Sequence, residues 1–120
     1  MAKLIDLKTI MDARGSLTVI EKVLPFAIQR VFFIHDVNAP RGGHGHRKTQ
    51  MALICVSGSC RVSVQTTEKN LEFQLDQPSK CLILQPSDWH SMDQFTENAT
   101  LVVLASENYD KDDYIHEPYR

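Results

Sequence analysis

The stretch of residues 40–50 reads Pro-Arg-Gly-Gly-His-Gly-His-Arg-Lys-Thr-Gln and precedes an apolar run at residues 51–56. Side chains alternate in an extended segment, so His44 and His46 are predicted to share one face, and Gln50 has the same parity. The two glycines before the pair favour a tight turn and leave room for a ligand. Histidine titrates near neutral pH, so this pair suits proton transfer, and the flanking basic residues suit an anionic substrate.

Strand-like runs separated by turn signals continue on both sides of this stretch. About nine short runs at roughly ten-residue spacing, with no amphipathic helical pattern, predict an all-β sandwich or barrel. The predicted strands are residues 4–7, 16–20, 30–35, 49–57, 61–65, 71–75, 80–84, 92–95 and 100–106. The run at residues 49–57 is apolar on both parities, which is typical of a strand covered on both faces. Residues 36–43 are predicted to form a loop, and residues 86–90 a turn.

Composition and charge are those of an ordinary globular chain. The 120 residues are 42% hydrophobic and 23% charged, which favours a single domain over residues 1–120. A formal net charge of −2 argues against general nucleic-acid binding. No apolar run suggests a signal peptide or a membrane span. The cysteines lie in or beside apolar runs and are predicted to be buried thiols of a cytoplasmic protein.

The histidine pair has three interpretations. A metal site would use His44 and His46 with His90 as a third ligand, but Gln50 stands where a glutamate ligand is expected and is a poor ligand for a divalent cation. A metal-free catalytic pocket would use the pair as acid and base. Otherwise the two are surface histidines at the start of a strand.

Arginines and aromatic residues supply candidate substrate contacts. Arg14 and Arg41 lie in glycine-containing loops, where pockets are commonly built, and the planar guanidinium suits bidentate phosphate contacts. Trp89 is predicted either to stack on a nucleobase or sugar or to pack on the barrel rim. The candidate substrate-binding residues are Arg14, Arg41, Arg47, Gln50, Phe32 and Trp89.

The tail at residues 107–120 is polar and carries several tyrosines. Such a tail is either mobile or packed by its aromatic residues on the body or on a partner chain. Its acidic cluster, Asp110, Asp112 and Asp113, is predicted to be solvated or to supply one carboxylate that orients a histidine.

Several of these motifs, taken in order, resemble the WxcM-like cupin family, whose best-known members are sugar nucleotide 3,4-ketoisomerases. The resemblance covers about residues 3–118 and rests on Asp12-x-Arg14-Gly15-x-Leu17, Pro25-Phe26, Arg30-Val31-Phe32-Phe33-Ile34, Arg41-Gly42-x-His44-x-His46-Arg47, Gln50, Gly58, Pro86-x-x-Trp89 and Tyr109 with Asp113-Tyr114-Ile115.

The resemblance implies a cupin-type jelly roll assembled as a homodimer with exchanged N-terminal strands. It also implies a metal-independent isomerase without a cofactor, which moves the keto group of dTDP-4-keto-6-deoxyglucose from C4 to C3 on the way to an amino sugar of a surface polysaccharide. The family's catalytic histidines fall on His44 and His46, and its loop arginines on Arg14 and Arg41. One departure is a phenylalanine, Phe32 or Phe33, in place of a tyrosine, which removes a proton donor or a substrate hydrogen bond.

Within the implied reaction, His44 is assigned as the base and His46 as its partner. Three other functions fit the same residues. They are a metal-dependent cupin enzyme, a 3,5-epimerase-type enzyme and a non-catalytic dTDP-sugar-binding module.

Overall fold

The computed structural model describes residues 1–119 as twelve β-strands and one short 3-10 helix. The strands are β1 (Lys3–Asp6), β2 (Lys8–Asp12), β3 (Gly15–Val19), β4 (Arg30–His35), β5 (Arg41–His46), β6 (Met51–Ser57), β7 (Cys60–Gln65), β8 (Asn70–Leu75), β9 (Lys80–Leu84), β10 (Trp89–Asp93), β11 (Thr100–Ala105) and β12 (Tyr114–Ile115). The helix is Lys111–Asp113.

Two five-stranded sheets form the body of the molecule. The first sheet has the order β1-β9-β6-β11-β4 and the second the order β12-β5-β10-β7-β8, while β2 and β3 form a separate hairpin. Every strand pair is antiparallel. Apolar side chains from both sheets meet in one buried cluster, so the predicted all-β sandwich is confirmed.

Strand β6 is buried on both faces, as its sequence predicts. Met51, Leu53 and Cys55 belong to the cluster between the sheets. Ala52 and Ile54 belong to a second cluster on the outer face of the first sheet. Burying a side chain of this size contributes about 1.5–3 kcal/mol, so β6 anchors the segment that precedes it.

The structure corrects the predicted positions of several strands. The turn predicted at residues 86–90 ends too late, because Trp89 and His90 are already the first residues of β10. Strand β5 occupies part of the predicted loop. Gly42 and Gly43 there have φ of 83° and 79°, a conformation for which glycine is suited. Because glycine is also typical of turns, the sequence predicted a loop where the strand begins.

Several apolar side chains stay exposed outside the sandwich. In the β2–β3 hairpin these include Met11 at 76% and Leu17 at 58%. On the edge strand β4, Val31 and Phe33 are 57% and 62% exposed.

Among the described residues, no helix is both long and apolar enough to cross a membrane.

Candidate active site

A cavity of about 120 Å³ opens between the two sheets beside β5. Its apolar wall is formed by side chains of both sheets: Phe32, Ile34, Met51, Leu53, Met92 and Val103. Its polar lining consists of Arg41, His44, His90 and Tyr114. An apolar pocket with a few convergent polar groups is the usual form of a small-molecule site.

Three histidines cluster at one side of this cavity. The ring centroids of His44 and His46 are 5.3 Å apart, so the pair shares one face of β5, as the alternation predicts. His90 is the cross-strand neighbour of His44 on β10, with its centroid 5.0 Å from that of His44 and 6.2 Å from that of His46.

Asp113 fixes the orientation and tautomer of His46. Its Oδ2 lies 2.9 Å from Nδ1 of His46 and also accepts a hydrogen bond from the hydroxyl of Thr49. Its Oδ1 accepts from the backbone N–H groups of Arg47 at 3.1 Å and Lys48 at 2.7 Å. A carboxylate can only accept, so Nδ1 of His46 carries the hydrogen and Nε2 holds the lone pair of the neutral ring.

The Asp113 carboxylate is ionised at neutral pH. Burial alone would raise its pKa, but the hydrogen bonds from Thr49, Lys48 and His46 lower the pKa below its usual value. A buried negative charge therefore stands directly behind His46.

Burial lowers the pKa of each of the clustered histidines. It lowers the pKa of His44 to about 4, with further lowering by the charges of His46 and His116. It lowers the pKa of His90 to about 3, with smaller effects of His44 and His46. Burial also lowers the pKa of His46, but there the hydrogen bond to Asp113 opposes it. All three rings are therefore neutral at pH 7, and within residues 1–119 His46 alone of the three bonds a carboxylate that stabilises its cation.

Two imidazole nitrogens at this site have no hydrogen-bond partner within residues 1–119. They are Nδ1 of His44 and Nε2 of His46, and both are buried. Buried polar atoms are normally hydrogen-bonded, so these two nitrogens can still take a ligand or a water as partner. The ring of His44 lines the cavity, and that of His46 lies behind it. Two neutral imidazoles with free nitrogens can accept and return protons near pH 7.

His90 is a cavity residue that sequence reasoning considered only as a metal ligand. In β10 the side chains of His90 and Met92 are buried and those of Trp89 and Ser91 less so, because alternate residues face opposite sides of the sheet. His90 Nδ1 lies 3.4 Å from the carbonyl oxygen of Asp88, which can only accept. Once β10 is known to begin at residue 89, the alternation alone assigns His90 to the interior.

Two of the predicted substrate-binding residues, Phe32 and Arg41, line the cavity. Trp89 does not, because it lies on the other face of its sheet, in a groove with Ser63 and Gln65. Arg14 also lies elsewhere, at the turn of the β2–β3 hairpin, where its side chain is 91% exposed.

Arg47 and Gln50 are also outside the cavity lining. Arg47 Nε donates to the carbonyl oxygen of Asp112 at 3.1 Å and so helps to hold the tail. The alternation used to place Gln50 with the histidines does not extend to it, because β5 ends at His46 and the following residues bend. The backbone N–H of Gln50 donates to Ser106 Oγ at 2.8 Å.

The tail packs on the body, which is one of the two arrangements that its sequence predicted. Strand β12 pairs with β5, with Tyr114 opposite His46. The Tyr114 ring centroid lies 4.8 Å from the centroids of both His44 and His46. The Tyr119 hydroxyl donates to the carbonyl oxygen of Pro86. The acidic cluster of the tail was predicted to supply one carboxylate that orients a histidine, and that carboxylate is Asp113.

The donor set of any metal site would be drawn from the three clustered histidines. His46 uses Nδ1 to bond Asp113, which leaves Nε2 as the ring nitrogen that could ligate a metal ion. Residues 1–119 contain no group of three or more His, Cys, Asp or Glu side chains placed to hold a metal ion.

Comparison with known families shows to which family this chain belongs. The family model described as FdtA: WxcM-like, C-terminal matches residues 1–120. The chain belongs to this family. The resemblance found in the sequence motifs is therefore confirmed over the whole chain.

The chain is similar to proteins that are named as 3,4-ketoisomerases. The TDP-4-oxo-6-deoxy-alpha-D-glucose-3,4-oxoisomerase of Aneurinibacillus thermoaerophilus is 43% identical over 119 residues, which cover 96% of this chain and 86% of that protein. A histidine-to-asparagine mutant of the 3,4-ketoisomerase QdtA from Thermoanaerobacterium thermosaccharolyticum, solved with TDP-4-keto-6-deoxyglucose, has a TM-score of 0.92 at 40% identity over 97% of this chain and 87% of that chain. The TDP-quinovose 3,4-ketoisomerase WlaRB from Campylobacter jejuni also has a TM-score of 0.92, at 38% identity over 97% of this chain and 92% of that chain.

Proposed function

We propose that this protein is a sugar nucleotide 3,4-ketoisomerase that converts dTDP-4-keto-6-deoxyglucose into the corresponding 3-keto sugar. The observation that carries the proposal is the pair of neutral imidazoles in mutual contact, with His44 in the cavity lining and His46 behind it on the buried carboxylate of Asp113. A chain 43% identical over 119 residues to a TDP-sugar 3,4-oxoisomerase supports the substrate class. The product would enter the synthesis of a deoxyamino sugar for a surface polysaccharide.

The reaction needs only proton transfers. The ketone at C4 acidifies the proton on C3, and a base removes it to give an enediolate shared by C3 and C4. The proton on the C3 oxygen moves to the C4 oxygen, and a proton delivered to C4 then leaves the carbonyl at C3 and a hydroxyl at C4. Neutral histidine has suitable basicity for both steps near pH 7.

The hydrogen bond to Asp113 supports His46 as the base that removes the proton from carbon. When Nε2 takes up a proton the ring becomes a cation, and the carboxylate on Nδ1 stabilises that cation and holds the ring in place. This assignment reverses the one made from the sequence, where His44 was the base. His44 has no carboxylate partner among residues 1–119, and its free Nδ1 suits the transfer of a proton between the two sugar oxygens.

Arg41 is the fixed positive charge of the cavity lining. A guanidinium in this place would stabilise the developing enediolate or bind the diphosphate of the substrate. Phe32 on the facing wall would pack against the sugar or the base.

Incubation of the protein with dTDP-4-keto-6-deoxyglucose in deuterated buffer, followed by NMR, tests the proposed function. A 3,4-ketoisomerase moves the carbonyl to C3 and introduces deuterium at C4. A 3,5-epimerase exchanges C3 and C5 and leaves the carbonyl at C4, and a binding module leaves the sugar unchanged. Either of these last two results would overturn the proposal.

A homodimer is the second part of the proposal. Within the described residues 1–119, the β2–β3 hairpin pairs with neither large sheet, and it exposes Met11 and Leu17. The edge strand β4 exposes Val31 and Phe33. Exposed apolar patches and open sheet edges are typical of surfaces that associate. An exchanged hairpin would also carry Arg14 to the other subunit.

A cytoplasmic location is the third part. Cys55, Cys60 and Cys81 are buried free thiols, as expected in a reducing compartment.

A further inference from the structure

Tyr114 enters the cavity from the tail and not from the body of the sandwich. It lies opposite His46 where β12 pairs with β5, so its side chain lies on the same side of the sheet as the histidines. Its ring contacts both His44 and His46, with centroid separations of 4.8 Å in each case. A ligand atom within reach of both imidazoles therefore lies close to this phenol.

The cavity offers few hydrogen-bonding groups to a sugar. Arg41, His44, His90 and Tyr114 are its polar lining residues, and the other side chains that line it are apolar. Tyr114 is the one hydroxyl in the described lining, because Phe32 on the facing strand has only a ring. The Tyr114 hydroxyl forms no hydrogen bond within residues 1–119. A phenol that is half-buried beside an active-site cavity, with its hydroxyl unused, is available to a ligand.

We propose that Tyr114 is a substrate-contacting residue whose hydroxyl donates a hydrogen bond to the sugar oxygen on which negative charge develops. This inference rests on the proposed function. When the proton leaves C3, negative charge builds on the oxygen at C4, and an O–H donor aimed at that oxygen stabilises the enediolate more than it stabilises the ketone. The tail thus supplies two parts of the site, namely the carboxylate behind His46 and the donor in front of it.

Tyr114→Phe separates the hydroxyl from the ring. The ring packing on His44 and His46 is retained, and only the donor is lost. We expect kcat/KM for the 4-keto sugar to fall about 100-fold, as on removal of one donor to a developing oxyanion. The melting temperature and the affinity for TDP should not change, because neither depends on the hydroxyl.

Tyr109→Phe is the matched control. Tyr109 lies in the same tail, with its ring 5.9 Å from that of Tyr114, but it is 67% exposed and does not line the cavity. Its variant should convert the substrate at the wild-type rate. Wild-type turnover by Tyr114→Phe would overturn the proposal. So would a pattern in which Tyr114→Leu is inactive and Tyr114→Phe is active, since the ring alone would then matter.

A calorimetric comparison separates this inference from the proposed function. Wild type that fails to convert the 4-keto sugar refutes the isomerase function. The binding data then still decide the role of Tyr114, because a hydroxyl contact makes dTDP-4-keto-6-deoxyglucose bind Tyr114→Phe several-fold more weakly than it binds wild type, with TDP unaffected. Equal affinities for the sugar nucleotide in an inactive wild type would overturn the contact.

Discussion

Oδ2 of Asp113 lies 2.9 Å from Nδ1 of His46, and both side chains are only 3% exposed although the two residues are 67 positions apart in the chain. The C-terminal tail therefore supplies a carboxylate to the candidate site, whose histidines His44 and His46 lie on β5. Four hydrogen bonds, from His46, Thr49 and two backbone N–H groups, hold the carboxylate in place. A carboxylate held so firmly behind an imidazole positions the ring and stabilises its protonated form.

Replacing Asp113 with asparagine should remove most of the activity. The amide can donate to Nδ1 of His46, which favours the wrong tautomer, and it cannot stabilise the cation. We expect kcat to fall by up to about 10⁴-fold, the effect of such a change in a catalytic triad. Steady-state kinetics on a folded variant, verified by circular dichroism, measure this. Asp112→Asn, an exposed neighbour in the same 3-10 helix, is the control, and equal activities of the two variants would contradict the assignment.

Single asparagine variants of the two histidines should fail at different steps. Each should lose roughly 100- to 10,000-fold in turnover, the usual effect of removing a positioned acid or base. His46→Asn should also abolish deuterium exchange at C3, whereas His44→Asn should retain that exchange and lose the transfer of the carbonyl. NMR in deuterated buffer reports both events.

The exposed His35 provides the control for these variants, because its ring bonds Asp36 on the surface. His35→Asn should behave as wild type. Near-normal turnover of His44→Asn, or C3 exchange that survives in His46→Asn, would reject the roles proposed for these residues.

Some of this site was predictable from local sequence, and some was not. The alternation in residues 44–46 assigned both histidines to one face without any long-range information. The position of Trp89 depended on where β10 begins, and a shift of one residue in a strand moves every side chain to the other face. The alternation that starts at His44 could not be extended to Gln50, because the chain bends directly after His46.

The tail shows the limit of sequence reasoning more clearly. Strand β12 has only two residues, and its pairing with β5 joins distant parts of the chain. No local periodicity predicts such a pairing, so Tyr114 could not be assigned to the cavity from sequence. The acidic cluster did suggest a carboxylate that orients a histidine, but the choice of Asp113 over Asp110 and Asp112 required the structure.

Burial of His90 predicts that the protein loses stability in mild acid. Its pKa is about 3 in the folded protein, far below the usual 6.5, because burial disfavours the cation. Between those two pH values the unfolded chain binds a proton that the folded chain does not. The contribution of His90 to the free energy of unfolding is therefore at its maximum above pH 6.5. It falls as the pH drops toward the folded pKa, by up to about 1.4 kcal/mol per pH unit.

Urea unfolding at several pH values between 7.5 and 5 measures this dependence. His90→Gln should have a flatter dependence than wild type, whatever its absolute stability, because the buried titrating group is gone. An unchanged slope in His90→Gln would show that other groups carry the acid sensitivity.

A charge on the exposed face of β4 should disrupt the proposed dimer. Phe33 is 62% exposed in the single chain, so Phe33→Asp has little effect on the fold but buries a carboxylate if another chain covers this face. We expect light scattering to give a dimer mass for wild type and a monomer mass for Phe33→Asp. Thr67→Asp, at the exposed turn before β8, should remain dimeric. A monomeric wild type would contradict this part of the proposal.

Gly45 tests whether the tail must stay in place for activity. A Cβ at Gly45 would collide with the hydroxyl of Tyr119, which bonds the carbonyl oxygen of Pro86 and helps to pin the tail over β5. Gly45→Ala should therefore displace Tyr119 and loosen the hold of Asp113 on His46, with lower kcat and faster amide exchange in the tail. Tyr119→Leu removes the obstructing phenol, so adding it to Gly45→Ala should restore part of the activity. Since contacting residues couple, losses that simply add in the double variant would indicate that the two side chains act independently.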